Sequence, residues 1–224
     1  MSDDPTRPDG VFVARPGAPD DIRQEILKAA ATAFMQRGYA TSIDDVADSL
    51  GATKGRIYHY YRSKTDIFID IHLESLRMLI ERVGAFARDT TLRPSERLYW
   101  MSREHALVLM TTMNYQKSTI LGLNRFLLSI TAPYQHEATD RVQELRDEYE
   151  NLFVSAVQDG IAQGELRPVD PRFATKPLLG ALNWVNLWYD LPAEQPDPRI
   201  DEIADALARY CINALVAARP ATAG

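Results

Sequence analysis

Ser42-Ile43-Asp44-Asp45-Val46-Ala47-Asp48-Ser49-Leu50-Gly51-Ala52-Thr53-Lys54-Gly55-Arg56-Ile57-Tyr58-His59-Tyr60-Tyr61 holds two short helical patterns joined at a glycine. Ser42 is placed to cap the first helix, with Asp45 three residues on as the reciprocal partner of a capping box. Ile43, Val46, Ala47 and Leu50 then recur at i, i+3, i+4 and i+7, the spacing of one buried helical face. Gly51 supplies a stop, because a residue just past a helix end often needs the left-handed conformation. Thr53 caps the second helix. From Gly51 to Lys64 there are four basic residues, Lys54, Arg56, Arg62 and Lys64, and no carboxylate. Ile57 and Tyr61 are expected inside. Lys54, Gly55, Arg56, Tyr58, His59 and Tyr60 are expected at or near the outer surface. A helix with that chemistry, braced by a rigid neighbour, suits the major groove of DNA.

The pattern extends outward on both sides. Ile22, Ile26, Ala29, Ala30, Ala33 and Phe34 mark a preceding helix that starts after Pro19 and stops at Gly38. Ser63 caps a following helix, with Asp66 at the box position, running to about Ala87. Later helices are expected at about 94–112, 115–130, 137–163, 171–190 and 198–217. Pro94, Pro171 and Pro198 lie near helix starts, where a missing N–H costs nothing. Pro177 falls inside a pattern and should kink or break it. No segment alternates as a strand does. The fold class is therefore all-α. The expected organisation is an arm over 1–18, a helix-turn-helix DNA-binding domain over 19–66, and a helical ligand-binding and dimerisation domain over 67–224.

Composition narrows the function further. Net charge is −6 over 224 residues, so attraction to nucleic acid must come from a local patch. The single cysteine, Cys211, has no partner for a disulfide or a CxxC site. No run approaches the roughly 20 apolar residues of a membrane span, and the polar start does not read as a signal peptide, so a cytoplasmic protein with no membrane partner is expected. The four histidines, His59, His72, His105 and His136, lack metal-ligand spacing. There is no nucleophile elbow or Gly-rich phosphate loop. No enzyme, metal or cofactor is expected.

Within the basic helix the roles divide by chemistry. Lys54 and Lys64 are point charges for phosphates, together with the free N–H groups at the start of the following helix. Thr41 and Thr53 offer hydroxyls, and Tyr60 a phenol. Gly55 leaves room for close approach. Arg56 carries the fork that matches a guanine edge. Tyr58 and His59 are placed for thymine methyls or phosphates.

Residues about 22–68 resemble the N-terminal domain of the TetR family of transcriptional regulators. The resemblance lies in Ala33-Phe34 with Gly38-Tyr39, Thr41-Ser42-Ile43 with Val46-Ala47, the run from Gly51 to Tyr61, and Lys64 with Ile67-Phe68. It implies an all-helical homodimer that binds double-stranded operator DNA through Thr41, Thr53, Lys54, Gly55, Tyr58, His59, Tyr60 and Lys64. The family often has His where Tyr60 stands and Phe where Tyr61 stands. Arg56 occupies a variable position, which leaves the operator sequence open.

The remainder of the chain suggests a ligand pocket and a dimer surface. His105, Met110, Asn124, Arg125, Leu128, Asn183 and Trp184 are the candidate pocket residues. His72, Met78, Met101 and Met113 are more simply core. The segment from Pro177 to Leu191 is apolar nearly all round, and 198–217 carries a second apolar face. Leu182, Val185, Trp188, Tyr189, Ile203, Leu207 and Tyr210 are expected at a two-fold interface, since the last two long helices form it in the resembled family. Asn183-Trp184-Val185-Asn186-Leu187-Trp188-Tyr189 also resembles a branch that controls fatty-acid or steroid breakdown and responds to acyl-CoA thioesters. That resemblance implies a small hydrophobic effector, with an acyl-CoA as one form and Arg125, Lys117 and Arg141 as candidates for its phosphates. The expected function is a ligand-responsive repressor. The alternative is a ligand-binding dimer that acts as an activator or has no DNA role.

Overall fold

The computed structural model describes Ala14 and residues 20–121, 130–190 and 197–216. The expected pocket residues Asn124, Arg125 and Leu128, and the arm apart from Ala14, lie outside them. The described chain is helical, and its β structure is one isolated bridge between Leu166 and Val216. In chain order the helices are α1 (Asp20–Arg37), α2 (Ile43–Ser49), α3 (Lys54–Tyr60), α4 (Lys64–Ala87), α5 (Pro94–Thr111), α6 (Met113–Leu121), α7 (Pro133–Ala162), α8 (Pro171–Asn183), α9 (Val185–Trp188) and α10 (Ile200–Asn213). The described residues group into two units, one drawn from 1–75 and 117–145, the other from 76–116 and 146–224.

In the first unit the local signals act as expected. The Ser42 hydroxyl accepts from Asp45 N at 3.1 Å, and Ser42 N donates to Asp45 Oδ2 at 2.8 Å, completing the capping box. Gly51, at φ +59°, turns the chain after α2. Thr53 Oγ1 accepts from Arg56 N at 3.4 Å. Ile43, Val46 and Ala47 on α2 are buried, as is Ile57 on α3, and α2 packs on both α1 and α3. Phe34 meets Phe68 edge-on at 5.5 Å. His72 is core, its Nδ1 lying 2.9 Å from Phe68 O.

The second unit is built on α5, with α8, α9 and α10 packed against it. Ala204 and Ala208, one turn apart and fully buried, let α10 lie close along α5. Leu98, Met101, Val108, Leu109 and Met110 are buried on the α5 side. Along the rim the Tyr99 hydroxyl donates to Asp205, which also takes Arg209 Nε at 2.7 Å. Asp170 caps α8 by accepting from Phe173 N at 2.7 Å, with Pro171 in the first turn.

Several expected boundaries shift. Pro177 stays inside α8, where the buried Leu178 and Leu182 hold the helix across one lost ladder bond. The break falls instead at Trp184, between α8 and α9. The expected helix over 115–130 begins at Met113 after a break at Thr112, and α7 begins at Pro133 rather than near 137.

Candidate nucleic-acid interface and interior polar site

The surface of α3 is set by its brevity. Only two turns long, it buries Ile57 and Tyr60, with Tyr61 just beyond, at i, i+3 and i+4. Thr53, Lys54, Gly55, Arg56, Tyr58 and His59 are exposed, and Lys64 is half-buried. Tyr60 is therefore a correction: at 6% exposure it packs inward on the face of Ile57. Thr41 is a second correction. It is 1% exposed, and its hydroxyl donates to Ala33 O at 3.0 Å and Gly38 O at 2.9 Å, locking the end of α1. The start of α4 is partly engaged. Arg62 N and Ser63 N both donate to Asp66 Oδ2 at 3.1 Å, and Asp66 N to Ser63 Oγ at 3.2 Å, so those donors are already satisfied.

The exposed cations carry acidic companions that the run from Gly51 to Lys64 does not disclose. Lys54 Nζ pairs with Asp44 Oδ2 at 2.8 Å, and this hydrogen bond raises the lysine pKa, so it stays charged. Arg56 Nη2 reaches Glu25 Oε2 at 3.3 Å. All four groups are solvent-exposed, so phosphates can displace these carboxylates at small cost.

Two carboxylates on α4, one turn apart, anchor the end of α3. Asp70 Oδ2 accepts from the Tyr61 hydroxyl at 2.7 Å and from Arg23 Nε at 2.7 Å, while Oδ1 takes Arg23 Nη2 at 2.5 Å. Burial works against the Arg23 charge, but Asp70 more than offsets it and leaves the pKa above its ordinary value. Burial, with Asp70 beside it, keeps the Tyr61 phenol protonated and donating. Asp66, fully buried, also receives Gln135 Nε2 at 2.7 Å and the Tyr134 hydroxyl at 3.0 Å. Gln135 Oε1 meanwhile accepts from Thr131 N at 3.1 Å and Ala132 N at 3.2 Å. The Arg62 guanidinium lies over the Tyr134 ring at 4.8 Å. The start of α7 thus clasps Arg62 and the Ser63–Asp66 cap, just past the end of α3.

The second unit holds a buried polar group around His105. Its Nδ1 lies 2.6 Å from the Tyr149 hydroxyl; the two rings stack at 5.8 Å, and Phe153 stands edge-on to both. Burial lowers the His105 pKa to about 4, against a smaller upward pull from the Asn183 side chain. The ring is neutral at pH 7. Met110 is buried and Asn183 exposed. Trp184, expected in the pocket, is 62% exposed, because the break at its own position turns it off the packed face of α8. In the first unit, Arg141 pairs with Glu144 at 2.9 Å.

The expected interface residues divide. Leu182, Val185 and Tyr189 are buried within the chain itself, where α8 and α9 pack on α5, and the Tyr189 hydroxyl donates to Asp197 Oδ2 at 3.0 Å. They are corrections. Trp188 and Tyr210 are exposed, and Ile203 and Leu207 half-buried. Phe173, at 76% exposure, and Leu187 join Trp184 as exposed apolar side chains that periodicity alone did not single out. Among the described residues no helix is long and apolar enough to cross a membrane, and no cluster of His, Cys, Asp and Glu is arranged to hold a metal.

Comparison with known proteins agrees with this architecture. A family profile described as bacterial regulatory proteins, tetR family, matches residues 26–71. Another, described as tetracyclin repressor-like, C-terminal domain, matches residues 91–215. The chain is 28% identical over 192 residues to the HTH-type transcriptional repressor KstR2 of Mycolicibacterium smegmatis, covering 80% of this chain and 87% of that protein. Among solved structures, the TetR family regulator PfmR from Thermus thermophilus superposes with a TM-score of 0.71 at 28% identity, over 84% of this chain and 97% of that one. AibR, solved with isovaleryl coenzyme A and operator DNA, has a TM-score of 0.67 at 24% identity, over 87% of this chain and 97% of that one, a likeness of fold.

Proposed function

Given that the chain belongs to the TetR family of bacterial transcriptional regulators, we propose that it is a repressor that binds operator DNA as a homodimer and is released by a small hydrophobic effector. The observation that carries the reading is the exposed set Thr53, Lys54, Gly55, Arg56, Tyr58 and His59 on a helix whose far side is packed and whose end is pinned by Asp66 and Asp70. Rigid presentation matters because base contacts tolerate little misplacement. Lys54 and Thr53 position phosphates, Arg56 reads a base edge, and Tyr58 and His59 fill the groove beside it. The head is the domain over 19–66; the body over 67–224 takes the effector and the second copy.

The exposed aromatic and aliphatic groups Phe173, Trp184, Leu187, Trp188 and Tyr210 support the homodimer, since large apolar side chains gathered on one unit favour association. A dimer sets two copies of α3 in successive major grooves, about 34 Å apart. An effector that favours a dimer of different spacing releases the operator, to the extent that it binds that state better. The support for an acyl thioester as effector is the AibR complex, whose ligand is isovaleryl coenzyme A.

A gel shift on the intergenic DNA upstream of the gene tests the assignment. Lys54→Ala with Tyr58→Ala is expected to abolish the specific complex, and Lys54→Ala alone to lower the salt slope by about one. An unchanged shift from the double variant refutes the reading. So does binding that does not weaken with salt, since phosphate contacts through Lys54 would give a steep slope.

A further inference from the structure

Of the buried polar atoms on α5 and α9 without a hydrogen-bond partner, Arg97 Nε belongs to a guanidinium already paired with Asp159, which leaves Ser102 Oγ, His105 Nε2 and Asn186 Oδ1. Buried polar groups are nearly always paired, and an orphan costs as much as a lost hydrogen bond. Three on two helices packed against each other call for a common explanation. Ser102 and His105 are three residues apart on α5 and so share one face. Asn186 lies on α9, which packs on α5, one turn beyond the Asn183 that approaches the His105 ring.

The polarity of the group can be worked out. The Tyr149 hydroxyl has His105 Nδ1 as its partner, at 2.6 Å, and burial keeps the phenol protonated. Donation from the phenol to Nδ1 leaves the fewer groups unpaired, since a phenol that accepted from Nδ1–H would strand its own proton, and it places the imidazole proton on Nε2. Ser102 O–H is then a free donor and Asn186 Oδ1 a free acceptor, while His105 Nε2–H is a donor with no close partner, approached by the Asn183 side chain. None of the three carries charge.

Resting on the effector reading above, we propose that Ser102, His105 and Asn186 form the polar end of the effector site, for an apolar ligand bearing an uncharged carbonyl with an N–H or O–H donor close by. The carbonyl oxygen accepts from Ser102 and His105, and the donor reaches Asn186. An acyl thioester of a pantetheine carrier, whose first amide N–H lies two methylenes from the sulfur, has this arrangement. A free carboxylate does not: its charge would be buried with no cation among the three side chains to meet it. Ester and thioester share the carbonyl and differ in the donor, so a test with both separates them.

The test uses the full chain and three probe series of matched acyl length: isovaleryl, octanoyl and palmitoyl thioesters of N-acetylcysteamine, which keep the first amide N–H without the nucleotide, the corresponding methyl esters, and the free acids at neutral pH. Binding is read by calorimetry and by release of operator DNA. For the acyl length that fits, the thioester is expected to bind tightest, the methyl ester about ten-fold weaker, and the acid at least ~100-fold weaker. Ser102→Ala should weaken the thioester about ten-fold while leaving the melting temperature of the ligand-free protein unchanged or higher, because an orphan is removed. A lower melting temperature would mean that the hydroxyl was already satisfied, by a buried water for instance, and would overturn the proposal. So would equal binding of acid and thioester. Release from wild type and Ser102→Ala at equal ligand concentration would sink the polar anchor alone; failure of every probe to release wild type would sink the effector reading with it.

Discussion

Replacing Tyr61 by Phe removes one oxygen from the base of the head and should cost a definite amount. The side chain is 1% exposed, and its hydroxyl donates to Asp70 Oδ2 at 2.7 Å. A hydrogen bond to a charged acceptor contributes about 1.5–3 kcal/mol. Asp70 keeps both of its Arg23 bonds in the variant, so no carboxylate is stranded, and the lower end applies: about 1.5 kcal/mol. For a chain of this length that corresponds to a fall in Tm of roughly 3–6 °C. Urea unfolding followed by circular dichroism measures it. Operator affinity, measured where both proteins are folded, should stay within about two-fold, since the phenol faces away from the exposed side of α3. A stability loss below about 0.5 kcal/mol would show that the Tyr61–Asp70 bond contributes little. Lost DNA binding at unchanged stability would place the hydroxyl at the operator and refute the account.

Two further variants probe the second unit. The folded state holds His105 neutral with its pKa lowered from 6.5 to about 4, so the unfolded chain binds the extra proton between those values. Stability should be fully present above pH 6.5 and fall as the pH drops toward 4, by at most about 3 kcal/mol; the Tm–pH profile of His105→Gln should be flatter there, and parallel profiles would contradict the burial argument. A Cβ at Gly160 would meet Leu166 Cγ and Cδ1 at 2.6 Å, and Gly160 O also accepts from Leu166 N at 3.0 Å. Gly160→Ala is therefore expected to destabilise by about 1–3 kcal/mol in thermal melts, and a variant as stable as wild type would show that the Leu166 side chain moves aside freely.

What the sequence disclosed follows the range of the interactions involved. Ser42 with Asp45, Thr53 with Arg56, and Ser63 with Asp66 are contacts across three residues, and Gly51 answers a purely local need, so all were readable. Tyr60 and Thr41 were not. A seven-residue helix has room for one buried face, and the choice among Ile57, Tyr60 and Tyr61 depends on what packs beneath. The fate of the Thr41 hydroxyl depends on carbonyls left over at the end of α1. The same holds for Tyr61, whose hydroxyl gains its role only where Asp70, held by Arg23, comes within reach. Leu182, Val185 and Tyr189 read as interface because an apolar segment carries no mark of whether its own chain or a second one covers it. The polar orphans were half visible: His105 stands among the expected pocket residues, whereas Ser102 does not.

The pairing of Lys54 with Asp44 and of Arg56 with Glu25 gives the proposed DNA reader a built-in rival for its ligand. Each phosphate or base edge it grips must first evict an acid from the same molecule. Stray DNA, offering charge but poor fit, gains little from that exchange, whereas a matched sequence gains the base contacts on top of it. In a crowded chromosome such self-competition spares the protein from being titrated away by the sheer mass of wrong sites. On this view Glu25 and Asp44 help to set how weakly the head holds DNA that offers phosphates alone.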